Sequence, residues 1–299
     1  MKIRGVEIED TFAEAFTMRV ARVIVTARNA RWAGHAADKF TGFATSVIAC
    51  KCEAGIERVV PAAESPDGRP GLSLLLMTMG KDDLPKRLIE RIGQTVLTCP
   101  TTACFDGLPG APDRVGVGSN LRFFGDGFQS SKVIGGERFW RIPVMEGEFL
   151  VQESFGMQKA IGGGNFLIGA ESADAALEAA EAAVEAMNPL PGIIMPFPGG
   201  IVRSGSKVGS RKSKTMIAST NDAYCPTLRA VTTTALPEGV NSVLEIVING
   251  LDAPLIEASM RAGILAACRP GIRFITAGNY GGKLGPHHFP LHKILAGAA

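Results

Sequence analysis

The stretch Phe166-Leu-Ile-Gly-Ala170 opens a strand–helix–strand pattern that predicts the fold of this chain. The Ala- and Glu-rich run Ser172–Met187 follows with the composition of a helix, and Pro191-Gly192 marks a turn. Ile193–Phe197 is a second apolar strand, and the pair Gly199-Gly200 comes directly after it. Together these segments predict one βαβ unit that ends in a glycine-rich loop.

The same unit occurs again about 79 positions later, counted between the two Pro-Gly turns. Its strand, helix, turn, second strand and glycine pair are Val243–Asn249, Asp252–Cys268, Pro270-Gly271, Ile272–Ala277 and Gly281-Gly282. An internal repeat of this kind indicates the architecture before any motif is considered. The two glycine loops take equivalent positions, where a ligand can approach the backbone closely.

The first half of the chain carries a less regular version of the pattern. We therefore predict an α+β fold with two ferredoxin-like (split βαβ) lobes, residues 1–145 and 146–299, each an antiparallel sheet with helices packed on one face. Two long insertions, Asp106–Arg141 and Ile201–Leu236, are expected to be loops. The predicted elements of the first half are strands at Val20–Thr26, Ala44–Ala49, Leu72–Met79 and Thr95–Thr98, and helices at Asn29–Phe40 and from Asp83 onward.

Composition excludes several classes of protein. The formal net charge is +2, so no basic surface for nucleic acid is expected. No apolar run reaches the roughly 18 residues of a membrane span, and the N-terminus does not have the pattern of a signal peptide. The six cysteines are irregularly spaced and match no zinc motif. These features predict a cytoplasmic protein with reduced thiols, no metal site and no membrane association.

Polar residues in apolar surroundings are the candidate site residues. Glu245 interrupts the apolar strand Val243–Asn249, which is costly unless the carboxylate is paired or functional; the alternative is that it faces solvent. The stretch Ser219–Pro226 is either a ligand contact or a turn. Asn165 and Asn279 adjoin glycines, where turn capping is the simpler interpretation of both.

Nine segments in order along the chain resemble the formylmethanofuran:tetrahydromethanopterin N-formyltransferase family. Together they are far more specific than any one of them. They are Gly5–Phe16, Glu64-x-Pro-Asp-Gly-Arg-Pro-Gly71, Phe124-Gly-Asp-Gly127, Gly163-Gly-Asn-Phe166, Pro196-Phe-Pro-Gly-Gly-Ile-Val202, Ser206-Lys-Val-Gly-Ser210, Ser219–Pro226, Glu245-Ile-Val-Ile-Asn-Gly250 and Gly278-Asn-x-Gly-Gly-Lys-Leu-Gly285.

The resemblance implies an enzyme that moves a formyl group between the amine of methanofuran, or a bacterial analogue, and N5 of tetrahydromethanopterin. Both molecules are carrier substrates, and no prosthetic group is expected. The resemblance also implies a homotetramer and, in the bacterial branch, a larger complex with formyl-hydrolase subunits. The pI of about 8.2 favours that branch, because members from methanogens tend to be strongly acidic.

The chemistry implied by the resemblance assigns roles to the candidates. Glu245 would carry a proton between the two nitrogens. The Asn221 amide or the N–H groups of a Gly-Gly loop would stabilise the oxyanion, and Lys207, Arg211 or Lys283 would bind an anionic carrier tail. The expected substrate-binding residues are Asn165, Gly199, Gly200, Ser206, Lys207, Asn221, Asp222, Tyr224, Asn279 and Lys283.

Two other classes of function stay open at this point. Tandem ferredoxin-like lobes also serve as binding modules, so the chain could be a non-catalytic scaffold subunit of a formyl-hydrolase complex. Its Glu245 and its intact Ser219–Pro226 stretch argue against a loss of activity. A metallohydrolase acting on the formyl group would require bound zinc.

Overall fold

The structure is a computed structural model that describes residues 1–297, and the chain forms two compact units. The middle unit is Met18–Ala160, and the terminal unit combines Met1–Thr17 with the chain from Ile161 on. Both units contain strands and helices, which confirms the predicted α+β class.

The strands are β1 (Lys2–Ile3), β2 (Val6–Ile8), β3 (Phe12–Thr26), β4 (Glu53–Val60), β5 (Gly71–Thr78), β6 (Ala103–Asp106), β7 (Asp113–Gly116), β8 (Ser130–Ile134), β9 (Glu137–Val144), β10 (Gly147–Gln152), β11 (Ser154–Ala170), β12 (Ile193–Ile194), β13 (Lys207–Val208), β14 (Ala218–Ser219), β15 (Ser242–Gly250), β16 (Ile272–Thr276) and β17 (His287–Pro290). The α-helices are α1 (Ala30–Thr41), α2 (Val47–Cys50), α3 (Asp83–Arg91), α4 (Gly118–Leu121), α5 (Ala173–Met187), α6 (Ala253–Ala267) and α7 (Leu291–Ile294).

The sheet of the terminal unit follows the order β2–β16–β11–β15–β12. Strand β11 is antiparallel to both β15 and β16, β12 is antiparallel to β15, and β2 is parallel to β16. Along the chain the elements run β11, α5, β12, β15, α6, β16, which is the split βαβ order. Apolar residues of α5 and α6 pack on one face of this sheet, where Phe166 and Ile246 lie in the core.

The sheet of the middle unit repeats this order with β6–β3–β5–β4, in which all neighbours are antiparallel. Helices α1 and α3 contribute Phe40, Leu84 and Leu88 to its core. Strand β10 adds to β6 in parallel, and the β9–β8 hairpin continues the sheet. The predicted loop Asp106–Arg141 therefore contains β7, α4, β8 and part of β9.

Side chains cap the helices at the places that the sequence predicts. Asn29 accepts a hydrogen bond from the Trp32 N–H at 3.2 Å, which fixes the start of α1. Asp252 caps α6 in the same way, through the Leu255 N–H at 3.0 Å. The predicted start of α3 at Asp83 is also correct, although no side chain caps that helix.

Two strands of the first half are predicted wrongly. Ala44–Ala49 contains the start of α2, because the Ser46 hydroxyl accepts the Ile48 N–H and begins a helical turn. Thr95–Thr98 is not a strand either, since α3 continues through a π-helical segment, Ile92–Val96. Short apolar runs do not distinguish a strand from a buried helical turn, so the true strands β4 and β6 come several residues later.

The predicted division at 145/146 differs from the two compact units. A cut there separates Val144 from Gly147, which pair in the β9–β10 hairpin. The unit boundary lies at 160/161, within β11. The N-terminal segment also joins the terminal unit, because β2 pairs with β16 through Glu7 and Ile8.

Candidate active site

Glu245 lies on the helix-free face of the terminal sheet. Leu167 of β11 pairs with Glu245 on one side and with Thr276 of β16 on the other, so the three side chains form a row. Val202 covers the free edge, where its N–H donates to the Glu245 carbonyl at 2.7 Å and the Glu245 N–H donates back at 2.9 Å. The Glu245 side chain is half-buried, so it is not fully exposed to solvent on this face.

Burial raises the pKa of the Glu245 carboxyl to about 7. Within residues 1–297, no group donates a hydrogen bond to this carboxylate and no cation pairs with it. An acid of this pKa is present in both protonation states near neutral pH, which suits a group that must accept a proton and then return it.

A second buried carboxylate, Glu14, anchors the loop that follows β16. Its two oxygens accept four backbone N–H groups of the segment 280–285 at 2.6–2.8 Å. Burial alone would raise its pKa, but these four bonds lower it to about 2. Sequence analysis missed Glu14, although the signal was the one that identified Glu245: a carboxylate within an apolar strand, here Phe12-Ala-Glu-Ala-Phe16.

Asn165 and Asn279 hold the backbone of the same loop. Asn165 donates to the Gly278 carbonyl at 3.1 Å and accepts the Gly278 N–H at 2.6 Å. Asn279 donates to the Phe12 carbonyl and to the Thr11 hydroxyl, both at 3.1 Å. The capping interpretation of both residues therefore describes their contacts, and their direct binding to substrate stays a prediction.

Tyr280 connects the loop to Glu245. Burial and, after it, the charges of Glu245 and Glu14 raise the pKa of the Tyr280 phenol, so the hydroxyl lies within electrostatic reach of both carboxylates. Its ring lies 6.3 Å from that of Phe16, measured between centroids. Lys283 on the same loop is exposed and has no partner in the described part of the chain.

The segment Ile201–Leu236 places three predicted residues together. The Lys207 ammonium and the Arg211 guanidinium both pair with Asp222, the latter at 3.0 Å. A hydrogen bond from Lys207 and the charges of both cations lower the pKa of the Asp222 carboxyl. The two cations are thus partly neutralised, although the Arg211 side chain keeps 76% of its surface exposed.

The remaining predicted residues lie in the same unit, where the Tyr224 N–H donates to the Asn221 carbonyl at 3.0 Å. Tyr224 packs against the buried cluster of Leu236, Val240 and Phe274, and burial raises the pKa of its phenol. The Asn221 side-chain amide has no hydrogen-bond partner among residues 1–297. Ser206 and Gly199 are exposed, and Gly200 donates its N–H to the Phe197 carbonyl at 2.8 Å.

Three general findings concern residues 1–297. They contain no group of three or more His, Cys, Asp or Glu residues placed to hold a metal ion. No helix in this range has the length and apolar composition needed to cross a membrane. All six cysteines are free thiols.

Two family models match consecutive parts of the chain. The model described as formylmethanofuran-tetrahydromethanopterin formyltransferase matches residues 1–144, and the model of its proximal lobe matches residues 147–294. The chain belongs to this formyltransferase family. The two matches meet beside the predicted 145/146 division, about 15 residues before the boundary of the compact units.

Relatives of the family match the chain over almost its whole length. Proteins named formylmethanofuran–tetrahydromethanopterin formyltransferase are 63% identical in Methylococcus capsulatus and 61% identical in Methylobacillus flagellatus, in both cases over 99% of this chain and 100% of the relative. The Methanosarcina barkeri protein is 52% identical over the same shares. The higher identity to the two bacterial proteins agrees with the expected bacterial branch.

Two solved structures share the fold. The Methanosarcina barkeri formyltransferase superposes with a TM-score of 0.94 at 52% identity and covers 98% of this chain and 100% of its own. The formyltransferase/hydrolase complex of Methylorubrum extorquens with methylofuran contains a chain with a TM-score of 0.95 at 48% identity, covering 99% and 98%. The architecture is therefore shared with both an archaeal and a bacterial member.

The raised pKa of Glu245 makes a prediction about stability. The carboxyl has a pKa of about 7 when folded and an ordinary value of 4.5 when unfolded, so the folded state loses stability as the pH rises from 4.5 to 7. We expect Glu245→Gln to be more stable than wild type by about 1–3 kcal/mol at pH 8. Urea unfolding should show most of this gain gone at pH 5.

The exposed Glu238 provides a control. Glu238→Gln should leave the unfolding free energy unchanged, within about 0.5 kcal/mol, at both pH values. An equal gain for Glu245→Gln at pH 5 and pH 8 would contradict a folded-state pKa near 7.

Proposed function

We propose that this protein transfers a formyl group between the amine nitrogen of methanofuran, or a bacterial analogue, and N5 of tetrahydromethanopterin, with Glu245 as the proton relay. The family supports the reaction, and the observation that carries the mechanism is the half-buried Glu245 carboxyl with its pKa of about 7. The transfer is direct, from one carrier nitrogen to the other.

The proton balance of the reaction requires one such group. The attacking N5–H nitrogen forms a bond to the formyl carbon, which gives a tetrahedral oxyanion. The carbon–nitrogen bond to the other carrier then breaks, and its nitrogen must receive a proton because an amide anion leaves very poorly. Glu245 takes the proton of the attacking nitrogen and delivers it to the leaving one, so the carboxylate is regenerated in each turnover.

Asn221 supplies the oxyanion donor in this proposal. Its amide has no hydrogen-bond partner within residues 1–297 and so is available to donate, and loss of one oxyanion donor typically costs about 10²–10³ in rate. Asp222 and Tyr224 follow it in the chain, and Tyr224 gives an aromatic wall against which a flat pterin ring can pack. Gly199, Gly200 and Ser206 stay in the proposal as backbone and hydroxyl contacts to the carriers.

We expect Glu245→Gln to lower kcat by roughly 10²–10⁴, because it keeps the size of the side chain and removes its titratable proton. Affinities for both carriers should change only a few fold, since the relay acts mainly in the transition state. Turnover of a formylated carrier with tetrahydromethanopterin, followed by the absorbance of the 5-formyl product, measures the effect. Glu238→Gln is the matched control and should retain full activity.

The same assay tests the scaffold alternative. A non-catalytic subunit of a formyl-hydrolase complex would bind the pterin without turnover, and Glu245→Gln would then change nothing. If Glu245→Gln retained more than about a tenth of wild-type kcat, another acid would have to carry the proton.

Lys283 and Arg211 are the cations that we propose for the anionic carrier tail. Lys283 is exposed and without a partner in the described residues, and Arg211 is exposed beside its contact with Asp222. Lys207 is less suited, because its ammonium is already held by Asp222.

Replacing Lys283 and Arg211 by Ala should raise KM for the carrier more than it lowers kcat, because a tail contact is present in both ground and transition states. The difference should shrink as salt rises, since exposed charge pairs are screened. Lys132→Ala, at an exposed site in the middle unit, is the control. An unchanged KM for the double variant at low ionic strength would exclude this tail site.

The proposal includes a homotetramer in the cytoplasm and an association with hydrolase subunits. The bacterial structural relative is a formyltransferase/hydrolase complex, and the middle unit exposes Phe123, Phe124 and Phe128 to between 65% and 82%, as surfaces that other subunits cover often do. Light scattering of the isolated chain should give about four times its mass of 31.4 kDa, and a clean monomer at micromolar concentration would contradict the tetramer.

A further inference from the structure

The loop after β16 is shaped around one carboxylate. Tyr280 and Gly282 donate their N–H groups to one oxygen of Glu14, at 2.7 and 2.8 Å. Leu284 and Gly285 donate theirs to the other oxygen, both at 2.6 Å. Such a ring of N–H groups is a backbone nest for an anion, and here the anion is a side chain of the protein with 1% of its surface exposed.

Glycines permit this geometry at the places where another residue would not. Gly281 and Gly282 have φ angles of 69° and 71°, in the left-handed region. A Cβ atom at Gly285 would lie 2.3 Å from the Ala15 carbonyl oxygen, so only glycine lets the loop approach β3 this closely. The loop therefore has one shape as long as Glu14 is ionised and in place.

The anchored loop starts on the face of the sheet that carries Glu245. Leu167 pairs with Glu245, and Asn165, two residues away on the same face of β11, grips Gly278 at the start of the loop. Tyr280 follows two residues later, and the Glu14 N–H also donates to the Gly278 carbonyl at 3.2 Å. The chain thus runs from Thr276, in the same row as Glu245, directly into the loop that binds Glu14.

We propose that Glu14 is a positioning residue, which holds the Tyr280–Gly285 loop beside Glu245 and so keeps water away from the Glu245 carboxylate. Glu14 contacts no substrate in this proposal and acts through Tyr280. Its effect on turnover rests on the proposed function of Glu245, whereas its effect on the hydration of Glu245 does not.

The charges around Glu245 agree with the proposal that the loop raises its pKa by excluding water. The titratable and charged groups on the neighbouring elements include Glu14 on β3, Tyr280 and Lys283 on the loop, Arg203 next to Val202, Arg273 on β16, and Tyr224, whose phenol is hydrogen-bonded to Thr276 of β16. Burial is the cause of the raised pKa of Glu245, and no charge contributes to it. Because the pKa of Glu14 is about 2, the anchor stays ionised throughout the range in which Glu245 titrates.

Glu14→Gln tests the anchoring role, because it keeps the size of the side chain and removes its negative charge. A Gln side chain keeps one acceptor oxygen but turns an NH₂ group toward two of the four loop N–H groups, which loses two hydrogen bonds. The loop should then open and admit water to Glu245. Glu57→Gln is the matched control, because Glu57 is also buried, at 5% exposed, and is bound by Arg22 at 2.7 Å and Ser73 at 2.6 Å in the middle unit.

The experiment is a ¹³C NMR titration of the full chain labelled with [δ-¹³C]glutamate. The Glu245 resonance is the one that disappears in Glu245→Gln. In wild type and in Glu57→Gln it should titrate near 7, and in Glu14→Gln its midpoint should fall by at least one pH unit toward 4.5. An unchanged midpoint in folded Glu14→Gln, or an equal fall in Glu57→Gln, would overturn the proposal.

A second variant keeps the proposal testable if Glu14→Gln does not fold. Tyr280→Ala leaves all four backbone N–H groups on Glu14 and removes only the side chain of the loop that interacts electrostatically with Glu245. The Glu245 midpoint should fall here as well, and an unchanged midpoint would overturn the proposal. Since the titration needs no turnover, the positioning role can hold or fail independently of the proton relay.

Discussion

The central constraint on this structure is the loss of water around two carboxylates, Glu14 and Glu245, that lie within apolar strands. Dehydration of a charged carboxylate costs free energy unless hydrogen bonds or opposite charges replace the lost water. Glu14 receives four backbone hydrogen bonds and its pKa falls to about 2. Glu245 receives none within the described residues, and its pKa rises to about 7. One acid is therefore a permanent anion, and the other can exchange a proton near neutral pH.

The repeated βαβ units determine which face of each sheet carries the buried acids. In each unit the helices cover one face of the sheet, which leaves the other face for polar groups. In the middle unit that face carries Arg22 and Ser73, which bind the buried Glu57. In the terminal unit it carries Glu245, whose backbone pairs with Val202 at the edge of β15. On corresponding faces of two similar sheets, Glu57 is therefore hydrogen-bonded, whereas Glu245 receives no hydrogen bond within the described residues.

The features that could be predicted from the sequence are those set by residues close together in the chain. Helices were predicted to begin at Asn29, Ser172 and Asp252, and in the structure each of these side chains caps its helix through a backbone N–H three residues later. Glu245 was identified because a charge interrupts an apolar run. Glu14 carries the same local signal, but its hydrogen-bond partners could not be predicted, because they lie about 270 residues away and no local pattern connects a strand to a loop at that distance. The pairing of Lys207 with Asp222 was missed for a similar reason, since it requires the fold of the segment Ile201–Leu236, in which β13 pairs with β14.

The central claim is that Glu245 moves the proton during formyl transfer, and the pH dependence of wild-type kcat/KM tests it most directly. Below its pKa the carboxyl is protonated and cannot accept the proton of the attacking nitrogen, so kcat/KM should rise with pH and level off above a midpoint near 7. This limb should be missing from the residual activity of Glu245→Gln. A midpoint near 4.5, or the same limb in Glu245→Gln, would contradict the account.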